Sequence, residues 1–144
     1  MFLQNAGDGF VAFIVLNPPR VLYVGHCLDE MDVDGNWHTH DFCEINYISQ
    51  GSCLFGYESE TFSISKGDVV VIHPGVRHMK KSEDAESVQM VYFGVSDVQI
   101  SGYSHNRLLP EGKLPVIDTA PYAARVEELF ADLLLEAGSC VAGA

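Results

Sequence analysis

Three side chains in one segment of this sequence have the types and spacing of a metal site. His38, His40 and Glu44 occupy even-numbered positions between Trp37 and Ser49. Alternate residues of a strand share a face, so an unbroken strand here would point two imidazoles and a carboxylate the same way. These groups are ligands for a divalent ion such as Zn, Ni, Mn or Fe. The spacing therefore makes these three residues a candidate metal site.

A fourth candidate ligand, His78, follows a second segment. Val69 to Ile72 is a continuous β-branched run, which is typical of a strand buried on both faces, and it leads into the turn Pro74-Gly75. If the two segments face each other across a barrel, His78 joins the other three ligands. The alternative is structural: the histidines lie at the rim of a pocket or cap a turn, and the carboxylate bonds to the backbone or to an arginine.

Neighbouring side chains offer further contacts to a small molecule. Trp37 and Tyr47 supply aromatic surface that could stack on a sugar or an aromatic ligand, and Arg77 could pair with an anion. We predict no catalytic residue. The predicted ligand-binding set is His38, His40, Glu44, His78, Trp37, Tyr47 and Arg77.

Positioning these side chains requires a β structure. The first hundred residues contain short apolar runs separated by Gly, Pro and polar turns, without an intervening helical period. This pattern predicts an antiparallel sandwich or barrel. The expected strands are Phe10–Leu16, Arg20–Cys27, Trp37–Ser49, Cys53–Tyr57, Thr61–Ile64, Val69–Ile72 and Ser87–Val95.

A helix is predicted after residue 118. Thr119 is a candidate N-cap, Pro121 suits the first turn, and the helix is expected to end near Gly138. One apolar face recurs at helical spacing, and we expect it both to pack on the barrel and to pair with a second copy in a two-fold dimer. The predicted dimerisation residues are Val126, Leu129, Phe130, Leu133 and Leu134. We place the barrel at 1–100, with a linker and this helix at 101–144 in the same domain.

Composition excludes several classes of protein. The chain has 144 residues, 47% of them hydrophobic, and a formal net charge of −12. Such an acidic domain repels phosphate backbones, so we do not expect it to bind nucleic acid itself. No apolar run is long enough to span a membrane, and the N-terminus has no basic region typical of a signal peptide. Four widely spaced cysteines favour free thiols in the cytoplasm.

Two motifs carry a resemblance to a known family. The His38–His40–Glu44 pattern resembles the first motif of the cupins, and Gly67 to His78 resembles the second, with His73 where many cupins carry proline. More narrowly, "HTHDFCEINYISQGSCLF" and "FSISKGDVVVIHPGVRH" resemble the N-terminal sensor domain of AraC-type transcriptional regulators. The resemblance covers roughly residues 9 to 136.

The resemblance implies a fold and a function. It implies a mostly β, cupin-like double-stranded β-helix, that is, a jelly-roll barrel, with a C-terminal amphipathic helix. It also implies a non-enzymatic, homodimeric sensor that binds a sugar or another metabolite. A C-terminal pair of helix-turn-helix motifs contacts DNA in that family, and we expect the natural chain to continue into them beyond Ala144. The alternative is a metal-dependent cupin enzyme, such as a dioxygenase or an isomerase.

Overall fold

Strands form most of the chain and one helix follows them. The computed structural model describes residues 2–6, 9–13, 15–27, 35–83 and 88–142, with side chains within 15–27, 35–83 and 88–138. A short 3-10 turn, Ala120–Tyr122, leads into the helix. The elements within these ranges are β1 (Phe2–Ala6), β2 (Gly9–Phe13), β3 (Val15–Asn17), β4 (Arg20–Cys27), β5 (Cys43–Gln50), β6 (Ser52–Tyr57), β7 (Glu60–Ser65), β8 (Asp68–Ile72), β9 (His78–Ser82), β10 (Gln89–Ser96), β11 (Gln99–Ile100), β12 (Val116–Asp118) and α1 (Ala123–Ala142).

Two antiparallel sheets form the body of the domain. The larger has five strands in the order β12-β8-β5-β10-β4, and the smaller has three in the order β7-β6-β9. The expected mostly β architecture with a C-terminal helix is confirmed. Among the described strands, hydrogen bonds do not join the two sheets into one closed barrel. The segment after residue 100, expected as linker and helix, contributes β12 to the edge of the larger sheet.

The hydrophobic core lies between the two sheets. Strand alternation points every second residue inward, and the inward apolar residues are almost fully buried. Phe55 and Ile64 enter the core from the smaller sheet, while Ile48, Ile72 and Met90 enter it from the larger. This packing fixes the separation of the sheets and therefore the room available to polar residues farther along the same strands.

One predicted strand is interrupted. Trp37 to Ser49 was expected to be unbroken, but β5 begins only at Cys43. Residues 35–40 form a loop, and Asp41 and Phe42 form a bend before the strand. The expectation was wrong because this loop pairs with β9 through one isolated bridge, and the chain must then turn to enter the other sheet.

The helix covers the outer face of the larger sheet. Phe130 stacks on Tyr47 with ring centroids 4.7 Å apart, and it also lies 6.0 Å from Phe93. Thr119 does not cap the helix with its side chain, because its hydroxyl donates to the carbonyl of Gly67 instead. The helix continues past the expected end to Ala142. No helix in the described ranges is both long and apolar enough to cross a membrane.

Candidate functional site

Three histidines from two segments meet at one end of the space between the sheets. His78 begins β9, and His38 and His40 lie in the loop that precedes β5. The backbones of His38 and His78 form a bridge, with each N–H donating to the other's carbonyl at 3.0 Å. One imidazole nitrogen of each histidine lies within 4.8 Å of those of the other two. The bridge therefore aligns two segments that are far apart in sequence.

Backbone carbonyls fix the tautomer of all three rings. The Nδ1 atoms of His38, His40 and His78 donate to the carbonyls of Asn36, Phe42 and Val76, at 3.1, 2.8 and 2.8 Å. The His40 ring also stacks on Phe42, with centroids 4.1 Å apart. A ring that donates from Nδ1 keeps the lone pair of Nε2 available, which is the usual arrangement of a metal-ligating histidine.

The free nitrogens fit a metal ion. The Nε2 atoms of His40 and His78 are buried and have no hydrogen-bond partner among the described residues. Buried polar atoms are nearly always satisfied, so these two orphaned acceptors need a partner. Two nitrogens that share a divalent ion lie roughly 3 to 4 Å apart, so closing the cluster around one ion requires shifts of about 1 Å.

Burial keeps His78 neutral. It is fully buried, and desolvation is the main cause that lowers its pKa to about 4; the neighbouring His38 and His40 act in the same direction. Its bond to the Val76 carbonyl and the charge of Glu44 oppose the shift without cancelling it. The neutral imidazole is the form that binds a metal.

Glu44 lies beside the histidines but already has three partners. One of its oxygens accepts from Asn46 Nδ2 at 3.0 Å and from Lys80 Nζ at 3.1 Å, and the other accepts from the Tyr23 hydroxyl. That second oxygen is 3.7 Å from His40 Nε2. The carboxylate thus connects the histidine cluster to a second group, which we call the polar cluster: Tyr23, Glu44, Asn46 and Lys80.

The polar cluster keeps the carboxylate charged. Burial alone would raise the pKa of Glu44, but the charge of Lys80 and the hydrogen bonds from Tyr23, Asn46 and Lys80 outweigh it and lower the pKa to about 2. The same arrangement raises the pKa of Tyr23, through burial first and then through its bond to the carboxylate. Tyr23 therefore remains a hydrogen-bond donor.

Two glycine–tyrosine pairs make room for this cluster on the larger sheet. Gly25 faces Tyr92 and Gly94 faces Tyr23 across adjacent strands. A Cβ added at Gly25 would lie 2.2 Å from the Tyr92 ring, and one at Gly94 would lie 2.6 Å from the Tyr23 ring. Each tyrosine ring therefore packs directly on the backbone of its glycine, and a side chain at that glycine position would displace the ring. Lys80 Nζ lies 5.6 Å from the centre of the Tyr92 ring, within reach of a cation–π contact.

The structure does not bring every predicted ligand-binding residue to this site. Tyr47 lies on the outer face of β5, against Phe130 of the helix. The guanidinium of Arg77 lies 4.7 Å from the Trp37 ring, and Trp37 covers Gly56. Gly56 alternates with the inward-facing Phe55, so Trp37 and Arg77 meet on the outer face of the smaller sheet.

Asn46 and Lys80 belong to the site but were not predicted from the sequence. Both have a signal in the strand period: Asn46 is two residues from Glu44, and Lys80 is two residues from His78. Asn46 is fully buried, and its amide oxygen accepts from Lys80 Nζ at 2.6 Å. Strand alternation alone would have placed Asn46 on the same face as Glu44, and Lys80 on the same face as His78.

Comparison with known proteins identifies one family model that matches most of the chain. Residues 24–142 match the AraC-like ligand binding domain. No curated protein matches the chain.

Solved structures give weaker similarities. A cupin protein from Bacteroides fragilis has a TM-score of 0.46 and 17% identity over 76% of this chain and 97% of its own. KdgF from Halomonas sp. has a TM-score of 0.40 and 19% identity over 65% of this chain and 87% of its own. The plu4264 protein from Photorhabdus luminescens has a TM-score of 0.40 and 19% identity over 43% of this chain and 52% of its own. The chain therefore spans about half of that protein.

Proposed function

The chain belongs to the AraC-like ligand binding domain family, a cupin-type domain, and on that premise we propose that it is the effector sensor of an AraC-type transcription regulator. The effector would be a small, hydroxylated metabolite such as a sugar, bound between the sheets. One observation carries the proposal: Glu44 of the polar cluster lies beside His40 of the histidine cluster, next to an apolar core. Titratable groups buried together and strongly shifted in pKa are concentrated at functional sites, which supports a ligand site here.

A divalent metal is part of the proposed site. His38, His40 and His78 would hold it through Nε2, and imidazole donors favour Zn, Ni or Fe over Mn. Glu44 remains a candidate fourth ligand through the oxygen that faces His40. A bound ion would supply a positive centre for an oxygen atom of the effector. The chain's own residues would orient the effector: Lys80 and Asn46 through hydrogen bonds, and Tyr92 through its ring.

Signalling would proceed by a shift of population between two arrangements of the domain. Phe130 connects α1 to the larger sheet, since it stacks on Tyr47 of β5, the strand that carries Glu44 and Asn46 on its other face. Leu129 is 48% exposed and suits contact with a second copy of the helix. In such a cytoplasmic homodimer, DNA would be bound by helix-turn-helix motifs and not by this acidic domain.

A second candidate function is that of a metal-dependent cupin enzyme. The observation that favours it is the number of ligands, because three imidazoles leave coordination positions open, as a catalytic metal requires. A sensor needs the same open positions to bind an effector, so the cluster by itself supports both functions.

The experiment tests whether the chain binds a small molecule and whether it then converts that molecule to a product. The zinc-loaded chain is screened by thermal shift against pentoses, hexoses and their sugar acids, and each ligand that raises the Tm is then monitored by NMR after long incubation. A sensor returns the ligand unchanged, and the Tm increase is lost in Lys80→Met but kept in Lys81→Met. Conversion of the ligand to a product would favour the enzyme, and a screen without any Tm increase would contradict the sensor.

A further inference from the structure

A cavity lies outside the histidine and polar clusters. It has a volume of about 480 Å³ and shares no residue with either cluster. Its walls come from the β6–β7 turn, from the segment after β8, and from the loop between β11 and β12. A volume of this size is in the range of sites for small metabolites.

Arg107 gives this cavity an unpaired positive charge. It is half-buried, and its Nε is buried without a hydrogen-bond partner. Its Nη2 donates one long hydrogen bond, 3.4 Å, to the carbonyl of Pro110. Among the described residues no carboxylate lies within 4.0 Å of this guanidinium, in a protein with 20 acidic and 8 basic residues. A buried N–H without an acceptor is costly, and the carboxylate of a ligand would supply one.

His73 holds the loop that carries Arg107. Its Nε2 accepts from the backbone N–H groups of Leu108 and Leu109, at 3.0 and 3.4 Å. Burial and the charge of Arg107 both lower the pKa of His73, so the ring remains neutral and able to accept these bonds. The backbone that follows Arg107 is therefore anchored at the cavity wall.

The other lining residues limit the ligand. Lys113 adds a second cation, and the Tyr57 side chain adds a hydroxyl. Glu58 and Glu60 line the same cavity, so their charges oppose a ligand that carries several negative charges. A single carboxylate matches the planar fork of the guanidinium, with which it can form two parallel hydrogen bonds.

We infer that this cavity is a second ligand site, built for a small organic monocarboxylate whose carboxylate is held by Arg107 with Lys113 beside it. The site does not depend on the proposed effector site, but the two are connected through the segment 73–78. Val76 lines the cavity, and its carbonyl accepts the bond that orients His78.

The test uses acetate as the probe and ¹H–¹⁵N NMR of the 144-residue chain at constant ionic strength. Acetate is expected to shift the Arg107 Nε–H resonance and the Leu108 and Leu109 amides with one saturable curve. Arg107→Gln should weaken acetate binding at least about tenfold, and Lys113→Gln should weaken it less. The matched control, Arg125→Gln, removes an exposed arginine paired with Glu128 and should leave the affinity unchanged.

Two further readouts separate a ligand site from a structural arginine. Urea unfolding should give Arg107→Gln a stability equal to or above that of the parent, because the side chain loses no internal ion pair; a large loss would assign it a structural role. Inorganic phosphate should bind more weakly than acetate because of Glu58 and Glu60. The inference is overturned by acetate shifts that do not saturate, by affinity retained in Arg107→Gln, or by phosphate binding as tightly as acetate.

Discussion

His38 and His78 face each other across a reciprocal pair of backbone hydrogen bonds, and their rings lie 4.2 Å apart. They are 40 positions apart in the sequence, yet this one bridge sets the spacing of their side chains. The loop before β5 and the first residue of β9 are therefore held as a unit, and His40 joins them from the same loop.

The histidine cluster should bind zinc, and His78→Ala should abolish tight binding. The affinity is expected to fall at least about a hundredfold, because the loss of groups that merely orient a ligand already costs about ten- to a hundredfold. Isothermal titration calorimetry measures the change. His105→Ala removes an exposed histidine outside the cluster and should bind like the parent. Equal zinc affinity in all three proteins would contradict the metal site.

Lys80 should be essential to stability because it neutralises Glu44. Both side chains are about nine-tenths buried, and the buried carboxylate has no other cationic partner at hydrogen-bonding distance among the described residues. Lys80→Met should lower the free energy of unfolding by about 3 kcal/mol, measured in urea at pH 7. Lys81→Met is the matched control, because the side chain of Lys81 is exposed. This substitution should change the free energy of unfolding by less than about 0.5 kcal/mol. Similar losses in the two variants would refute the role of the pair.

Gly56→Ala should displace Trp37. The added Cβ would lie 2.5 Å from the indole and 3.0 Å from Met79. Trp37 is the only tryptophan, so a red shift of its fluorescence reports the movement directly. The expected destabilisation is about 1 to 3 kcal/mol. Gly138→Ala meets no atom within 4 Å and should instead stabilise the helix by about 0.5 to 1 kcal/mol. An unchanged emission spectrum in Gly56→Ala would show that the ring is not where the structure places it.

His73 should contribute to acid sensitivity. The pKa of His73 is lower in the folded chain than its ordinary value of about 6.5, so the unfolded chain binds its proton first. This contribution to stability is complete above about pH 6.5 and is lost as the pH falls below it. His73→Gln keeps an acceptor for the loop amides but does not titrate. Urea unfolding from pH 7.5 to pH 5 should give the variant a shallower slope, by up to about 1.4 kcal/mol per pH unit. The contribution of His78 to the pH dependence of stability is present in both proteins. Identical slopes would therefore show that His73 does not contribute to acid sensitivity.

The helix should mediate dimerisation through its exposed apolar side. Leu129→Glu places a charge on a residue that is already 48% exposed, so the fold should survive while the dimer dissociates. Light scattering distinguishes the two states. Leu135 is 70% exposed and lies about 120° around the helix from Leu129, so Leu135→Glu should leave the dimer intact. A Leu129→Glu dimer would place the interface elsewhere.

Local sequence patterns predicted the class of fold well. The β-branched run at Val69–Ile72 and the three-four spacing after Thr119 predicted a buried strand and an amphipathic helix, and both elements are present. The family of the domain followed from two motifs at the right separation. These features depend on neighbours within a few residues, where backbone period and side-chain type are sufficient.

The tertiary structure decided how the site is built. The sequence placed His38, His40 and Glu44 on one face because it assumed a continuous strand, and that assumption was wrong. The chain bends before β5, and the bridge between His38 and His78 brings the histidine rings together instead. Lys80 comes from a different sheet than Glu44, so no spacing within one segment could reveal their pairing. The amino-acid order determined which strands and helix could form and which donors were available. Which donors meet depended on the packing of the two sheets, because only that packing brings distant residues within bonding distance.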